Sequence, residues 1–147
     1  MTSIWRKASD LTKLNQLSDN TLVSHLEIKY TELGDDYLVA TMPVKAITKQ
    51  PYGLLHGGAS VVLAETLGSV AGNLAVPMGR VCVGQEINAN HLRSVRNGVV
   101  TGKATPVYLG GRSQVWDIQI KDEQQRLVCC SRLTLAVIAD PSKAQEQ

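Results

Sequence analysis

His56-Gly57-Gly58, followed by Ala59-Ser60-Val61-Val62-Leu63-Ala64-Glu65-Thr66-Leu67-Gly68-Ser69-Val70-Ala71-Gly72-Asn73-Leu74-Ala75, is the stretch that decides the fold. No proline interrupts it, and Glu65 is its single charge between Ala59 and Ala75. A helix that is apolar nearly all round belongs inside a protein rather than on its surface. Ala64, Gly68 and Gly72 recur every four residues and give the helix a smooth strip where other backbones can come close. Each of those glycines costs about 1 kcal/mol of helix propensity relative to alanine, so packing against the strip has to compensate.

Working outward, the sequence after Pro77 reads as strands: Val81 to Leu92, Gly98 to Leu109, Arg112 to Lys121 and Leu127 to Ile138. Their punctuation is Arg96-Asn97-Gly98, Gly110-Gly111 and Asp122-Glu123-Gln124-Gln125. Trp116, Ile118 and Ile120 alternate with Val115, Asp117 and Gln119, the period-two pattern of a half-buried strand. Turns this short favour antiparallel neighbours over crossover connections. Before the helix, Ser9 to Gln16 predicts a short helix capped by Ser9 or Asp10, and Asn20 to Leu26 a further turn or two. Glu27 to Leu33 and Tyr37 to Pro43 form a hairpin about Gly34-Asp35-Asp36. Ala46 to Leu54, with Pro51 and Gly53 and no periodicity, reads as a loop. The expectation is one α+β domain over residues 1–147, a long buried helix against an antiparallel sheet of five to six strands, with residues 139–147 a flexible tail.

Composition narrows the function. A net charge of +2 is too small to draw nucleic acid by bulk attraction, so no nucleic-acid partner is expected. No apolar run reaches the ~18 residues of a membrane span, and Met1 to Lys7 leads into no apolar signal segment. A cytoplasmic protein follows as the default. Cys82, Cys129 and Cys130 sit in apolar runs and read as reduced core residues. His25, His56 and His91 have no spacing that argues for a metal, and no cofactor-binding fingerprint is present.

Glu65 is the first residue that could do chemistry. A carboxylate within an apolar helix is costly to bury unless it is hydrogen-bonded or lines a wet cleft; the competing reading is a helix position facing solvent. Ser69, one turn on, projects from the same side. His56-Gly57-Gly58 leaves bare N–H groups at the positive end of the helix, suited to an anion or a developing oxyanion, though plain turn chemistry would also use two glycines. Gly57 and Glu65 are eight residues apart, or ~12 Å along an α-helix. A carboxylate and an oxyanion donor serving one carbonyl should each lie within roughly 3–3.5 Å of the reacting atoms. Two antiparallel copies of the helix across a twofold axis meet that requirement, which makes the protein at least a dimer if both groups act. A cationic set completes the candidates: His91 and Arg93 on one strand face, Arg96 beyond, Lys103 and Arg112 on the next two strands. These suit a phosphate-bearing ligand or, equally, a solvated strand edge.

The pattern resembles the hotdog-fold acyl-CoA thioesterases, in the branch of the phenylacetate-pathway and 4-hydroxybenzoyl-CoA thioesterases. Within that branch it is most similar to bacterial esterases acting on 1,4-dihydroxy-2-naphthoyl-CoA and on aryl groups carried by enterobactin synthetase. The residues that carry the resemblance are Ser18-Asp19-Asn20-Thr21, Gln50 to Ser60, Leu63 to Ser69, Asn88 to Arg93 and Leu109-Gly110. It implies a helix wrapped by a curved sheet, dimerised edge to edge and commonly paired again into a homotetramer. It implies acyl-CoA as substrate, Glu65 as nucleophile or general base and the Gly57 N–H as oxyanion donor. Gln50 and His56 would orient the thioester carbonyl, and Ser69 the water. Gly84, His91, Arg93, Ser94 and the Tyr108-to-Ser113 stretch, with Tyr108, Gly110 and Arg112, match positions that contact CoA.

Two departures bear on the nucleotide contacts. Gly111 follows Leu109-Gly110 where relatives often carry arginine, with Arg112 one place later, and Ser94 stands where proline often follows the His-x-Arg. Two other readings stay open on this sequence. A hydroxyacyl-thioester dehydratase on the same fold needs a histidine beside the acid. A non-catalytic acyl-CoA sensor normally brings a DNA-binding segment, for which the short N-terminal stretch leaves no room.

Overall fold

A computed structural model describes residues 2–146. Its elements in chain order are α1 (Leu11–Leu17), α2 (Leu22–His25), β1 (Lys29–Leu33), β2 (Leu38–Pro43), α3 (Gly57–Leu74), β3 (Arg80–His91), β4 (Val99–Leu109), β5 (Ser113–Lys121) and β6 (Leu127–Ala139). Asp10 caps α1 through the Lys13 N–H, and Thr21 caps α2 in a reciprocal box with Ser24. Both satisfy amides that a helix start leaves without partners. The 46–54 loop holds one 3-10 turn, Ala46–Thr48. Thr48 anchors it: its buried hydroxyl donates to the Pro43 carbonyl and accepts from the Lys45 N–H. At the far end β6 continues through Ala139, paired with Arg80, so the tail expected from residue 139 begins one residue later at the earliest. Pro141–Glu146 coil as a 3-10 helix.

The six strands form one antiparallel sheet in the order β1-β2-β4-β5-β6-β3. This corrects one expectation. β3 and β4 follow each other in sequence but are not neighbours; β3 leaves the sheet edge, and the 92–98 connection delivers β4 to the middle. A short connection normally joins adjacent strands, but the three strand spacings between β3 and β4 come to only about 14 Å, within reach of the seven residues 92–98. The strands fan outward from α3, which packs on β2 through β6.

The small-residue strip explains that packing. A methyl group added at Gly68 would lie 2.6 Å from Leu133 Cδ2, and one at Gly72 would collide with Leu135. Backbone-to-side-chain approach this close is available only to glycine, and it offsets the lost helix propensity. Leu63, Leu67, Trp116, Ile118, Ile120, Leu133 and Leu135 are fully buried against one another. Each contributes about 1.5–3 kcal/mol by leaving water. Trp116 also stacks on Trp5, ring centroids 6.3 Å apart, which ties the N-terminal segment to the core.

Candidate functional site

Glu65 sits midway along α3, half-buried, and opens onto a cavity of about 490 Å³. One wall of that cavity is α3 itself, through Glu65, Thr66, Ser69, Val70 and Asn73. The i, i+4, i+8 spacing of Glu65, Ser69 and Asn73 puts all three on one stripe. The opposite wall comes from Leu14, Leu17, Ser18, Thr21 and Val23 around α1 and α2, with Tyr30 from β1. β3 passes behind the acid: a methyl group at Gly84 would lie 2.6 Å from Glu65 Oε1. Any side chain at that position would push into the carboxylate. β3 is held in place there by Asn73, whose carboxamide accepts from the Cys82 N–H at 2.8 Å and donates to the Cys82 carbonyl at 3.3 Å.

Gly57 is the first residue of α3 and faces a different cavity, of about 330 Å³. Its lining includes Gln50, Leu55, Ser60, His91, Arg93 and Ser94, with no carboxylate among them. Being first in the helix, the Gly57 N–H has no intrahelical acceptor. Its neighbour His56 caps the helix, with Nδ1 accepting from the Gly58 N–H at 2.8 Å. A ring whose Nδ1 accepts carries its proton on Nε2, so the outward nitrogen is a donor. His56 is in turn fixed by its N–H to the Thr48 carbonyl at 2.8 Å. Gln50 spends its carbonyl oxygen on the Tyr52 and Leu54 N–H groups, which frees its NH₂ as a donor toward the cavity it lines. The His91 imidazole packs on Gly57, its Nε2 2.9 Å from where a Cβ would stand.

Residues expected from the sequence to share one site therefore fall into two groups within the chain. Glu65, Ser69 and Gly84 lie at one end of β3. Gln50, His56, Gly57, His91, Arg93 and Ser94 lie at the other, seven residues or ~23 Å along the strand from Gly84. The β4–β5 hairpin with Tyr108, Gly110 and Arg112 belongs to the Glu65 end, because Gly84, Leu135 and Gln114 are in register across β3, β6 and β5. Tyr108 is exposed and lies over Gly110; the Arg112 carbonyl accepts from the Val137 N–H. Gly84, grouped by the resemblance with the CoA contacts, is in this chain a neighbour of the acid. The proposed cationic cluster does not form. Lys103 lies on β4 across the sheet, its ammonium 4.2 Å above the Tyr37 ring, because β4 is not beside β3.

Burial raises the Tyr30 phenol on the wall of the Glu65 cavity and two of the free cysteines. Loss of water raises the Cys129 thiol to about 11, with Cys130 a lesser contributor, and raises Cys82. Missed entirely at the sequence level were the residues that wall the acid's cavity from the N-terminal side, Leu14, Leu17, Val23 and Tyr30 among them. Their signal, apolar residues at helical or strand spacing, is the same as that of any core residue. Among the described residues no cluster of three or more metal-ligating side chains occurs, and no helix is long and apolar enough to cross a membrane.

One buried helix carrying a lone acid, inside a six-stranded antiparallel sheet, is the hotdog arrangement. The model of the thioesterase superfamily matches residues 52–129, and the chain belongs to that family. It is thus a thioester hydrolase, and the dehydratase and sensor readings fall. Among named relatives, it is 54% identical to the 1,4-dihydroxy-2-naphthoyl-CoA hydrolase of Escherichia coli over 92% of this chain and 99% of that one. It is 56% identical to the proofreading thioesterase EntH of Cronobacter turicensis, over 92% and 98%. A solved thioesterase from Haemophilus influenzae superposes with a TM-score of 0.91 at 54% identity, covering 92% of this chain and 95% of that one. A mutant thioesterase from Pseudomonas aeruginosa gives 0.92 at 46% identity, over 94% and 100%.

Proposed function

We propose that this chain hydrolyses aromatic acyl-CoA thioesters in a site assembled from two subunits, with Glu65 of one and the Gly57 amide of the other. The observation that carries this reading is the division of the candidate residues between two cavities at opposite ends of β3. That strand is a sheet edge, and Val83 to Glu86, Asn88, Asn90 and His91 along it are exposed. A long open edge is a pairing surface. Two such edges paired antiparallel about Asn88, with the bulge between Gly84 and Glu86 absorbing one residue, set Gly84 of one subunit opposite the partner's His91. Gly84 touches Glu65 and His91 touches Gly57, so the same twofold carries Glu65 toward the partner's Gly57. The helix-length argument from sequence asked for this pairing.

In the assembled site the acyl group enters the Glu65 cavity and the thioester carbonyl turns to the partner's helix start. The Gly57 N–H holds the oxyanion, with the Gln50 NH₂ and His56 Nε2–H as neighbouring donors. Glu65 either attacks the carbonyl carbon or takes a proton from the attacking water, and Ser69 positions that water. In the first case the C–S bond breaks to leave an acyl anhydride on Glu65, which water then hydrolyses to the free acid and the regenerated carboxylate; in the second, water adds directly and the C–S bond breaks as the adduct collapses. Either way the CoA thiolate leaves and takes up the proton that water gives. His91, Arg93 and Ser94, joined by Tyr108, Gly110 and Arg112 of the other subunit, receive the CoA arm; among the described residues Arg93 forms no salt bridge and is available to phosphate. An aromatic acyl group is supported by the E. coli relative, whose substrate is a naphthoyl-CoA. We take the enzyme to be cytoplasmic, needing no cofactor, and a homotetramer built from two such dimers.

Glu65→Gln tests the assignment. The variant should lose about 10³-fold or more in kcat on aryl-CoA thioesters while binding a non-hydrolysable analogue as before. Turnover near that of the wild type would remove Glu65 from the chemistry. Single turnover in oxygen-18 water separates the two roles: label found first in the Glu65 carboxylate marks it as nucleophile, and label found directly in product marks it as base.

A further inference from the structure

The lining of the acid's cavity includes two charged side chains, Glu65 and Lys7, and they stand at opposite ends of it. The N-terminal segment lays Lys7 across the end of α3. The Arg6 and Lys7 N–H groups both donate to the Leu74 carbonyl, at 2.7 and 3.1 Å. Trp5, stacked on Trp116 and bonded through its indole N–H to the Gly34 carbonyl at 2.6 Å, pins the segment on the other side. The Lys7 ammonium donates to the carbonyl of Arg80, the first residue of β3, at 2.8 Å.

That position sets the distance from ammonium to acid along two separate elements. Leu74 follows Glu65 by nine residues of α3, or ~13.5 Å. Arg80 precedes Gly84, which lies against Glu65 Oε1, by four residues of β3, or ~13 Å. A thioester carbon within ~3.5 Å of the acid and a hydrogen bond of ~2.8 Å to the ammonium leave ~7 Å between them. A benzoyl group with a para substituent spans that gap, as does an extended chain of about six bonds.

At that end of the cavity Lys7 has hydrogens to give. An ammonium carries three, and the Arg80 carbonyl takes one. Asn73, its polar neighbour in the lining, has committed both amide hydrogens, to the Ser69 carbonyl at 2.8 Å and the Cys82 carbonyl at 3.3 Å. Asp140 is close enough to feel the Lys7 charge, but its Oδ1 already accepts from the Ser142 N–H and hydroxyl. Among the described residues Lys7 forms no salt bridge. A half-buried ammonium closing a mostly apolar cavity suits an anion and is a poor neighbour for a bare ring edge. An ammonium at a helix C-terminus also offsets the helix dipole, a role indifferent to the substrate.

We infer that Lys7 is a specificity residue that receives a carboxylate at the far end of the acyl group, so that the site takes CoA half-thioesters of dicarboxylic acids. This deepens the reading of the Glu65 cavity as the acyl site and rests on it. The carboxylate would be bound on the N-terminal wall, well away from the reacting carbonyl. A hydrogen bond between charged groups changes affinity about 10- to 100-fold, and the partial exposure of Lys7 puts its effect at the lower end, about 10-fold.

The test compares 4-carboxybenzoyl-CoA with 4-isopropylbenzoyl-CoA, similar in shape but with and without the charge. The ratio of their kcat/KM values, taken within one preparation, cancels any loss of folded enzyme. Wild type should hydrolyse both. Lys7→Met keeps the stem and removes the charge, and should lower the carboxyl-to-isopropyl ratio about 10-fold, through KM. Lys7→Arg should hold the ratio near its wild-type value. Lys7→Glu should lower it further and raise hydrolysis of 4-aminomethylbenzoyl-CoA about 10-fold relative to the isopropyl compound. A ratio unchanged in Lys7→Met and Lys7→Glu overturns the inference and leaves Lys7 as a clasp between α3 and β3. Equal losses in Lys7→Arg and Lys7→Met also overturn it, since the charge would then not be what is read. So does a wild type that hydrolyses 2-naphthoyl-CoA but not the carboxyl compound. Wild type inactive on every thioester would instead break the proposed function, and this inference with it.

Discussion

The two ends of α3 are built to different rules. At the Glu65 end the helix is covered: α1, α2 and Tyr30 close over it, the lining is mostly apolar, and Asn73 holds β3 tightly behind the acid. At the Gly57 end the helix start is open, and His56, His91, Arg93 and Ser94 around it are all exposed. The covered end suits the hydrophobic half of an acyl-CoA; the open end suits the carbonyl oxygen and the charged half. Neither end has what the other has. The Glu65 cavity does not include the start of α3, and the Gly57 cavity is lined by no carboxylate. Separating them by half the helix lets each environment be optimised without compromise, and symmetry then supplies the missing partner. It also means that an isolated subunit carries two incomplete halves.

That contrast can be attacked from either end. The largest effect expected at the open end comes from Gly57→Pro, which deletes the N–H proposed as oxyanion donor. Position 57 is first in the helix, where proline is favoured, and His56 before it is already extended at φ −68° and ψ 129°, as a residue preceding proline requires. The variant should fold, its Cβ displacing the exposed His91 ring, and lose about 10²–10³-fold in kcat together with a rise in KM; Gly57→Ala, which moves His91 but keeps the N–H, should share only the KM change. Full activity would show that the Gly57 amide takes no part. A smaller effect is expected from Arg93→Ala, which should raise KM for acyl-CoA about 10-fold but leave KM for an acyl-pantetheine, lacking the nucleotide, untouched. At the covered end, Asn73→Ala should act on stability first. It strands the Cys82 N–H and carbonyl, and denaturant melts should report a loss of about 1–3 kcal/mol.

Much of this organisation was legible in the sequence. The span from His56 to Ala75 predicts the buried helix, because a lone charge and a four-residue rhythm of small residues fit little else, and α3 begins only two residues before the run from Ala59. Strand limits after Pro77 hold to within a residue or two, because Gly and Asn punctuation sets them. Two things were not legible. The neighbour of β3 depends on which strand offers it a free edge, which no turn residue encodes, so period-two spacing alone places Lys103 with cations from which β5 and β6 separate it. Leu14, Leu17, Val23 and Tyr30 carry only the periodicity of ordinary core residues, and nothing local marks them as the wall of a cavity. Ser18 and Thr21 stood out by resemblance alone, with no role attached.

Mixing two inactive variants tests the shared site most directly. Glu65→Gln and Gly57→Pro, each purified alone, are denatured, mixed in equal amounts and refolded together. In a mixed dimer one of the two sites combines an intact Glu65 with the partner's intact Gly57, while the other site carries both lesions. Random pairing makes about half the dimers mixed, so the account predicts recovery of about a quarter of wild-type activity. A mixture no more active than its components, with mixed dimers demonstrated by mass, would contradict it.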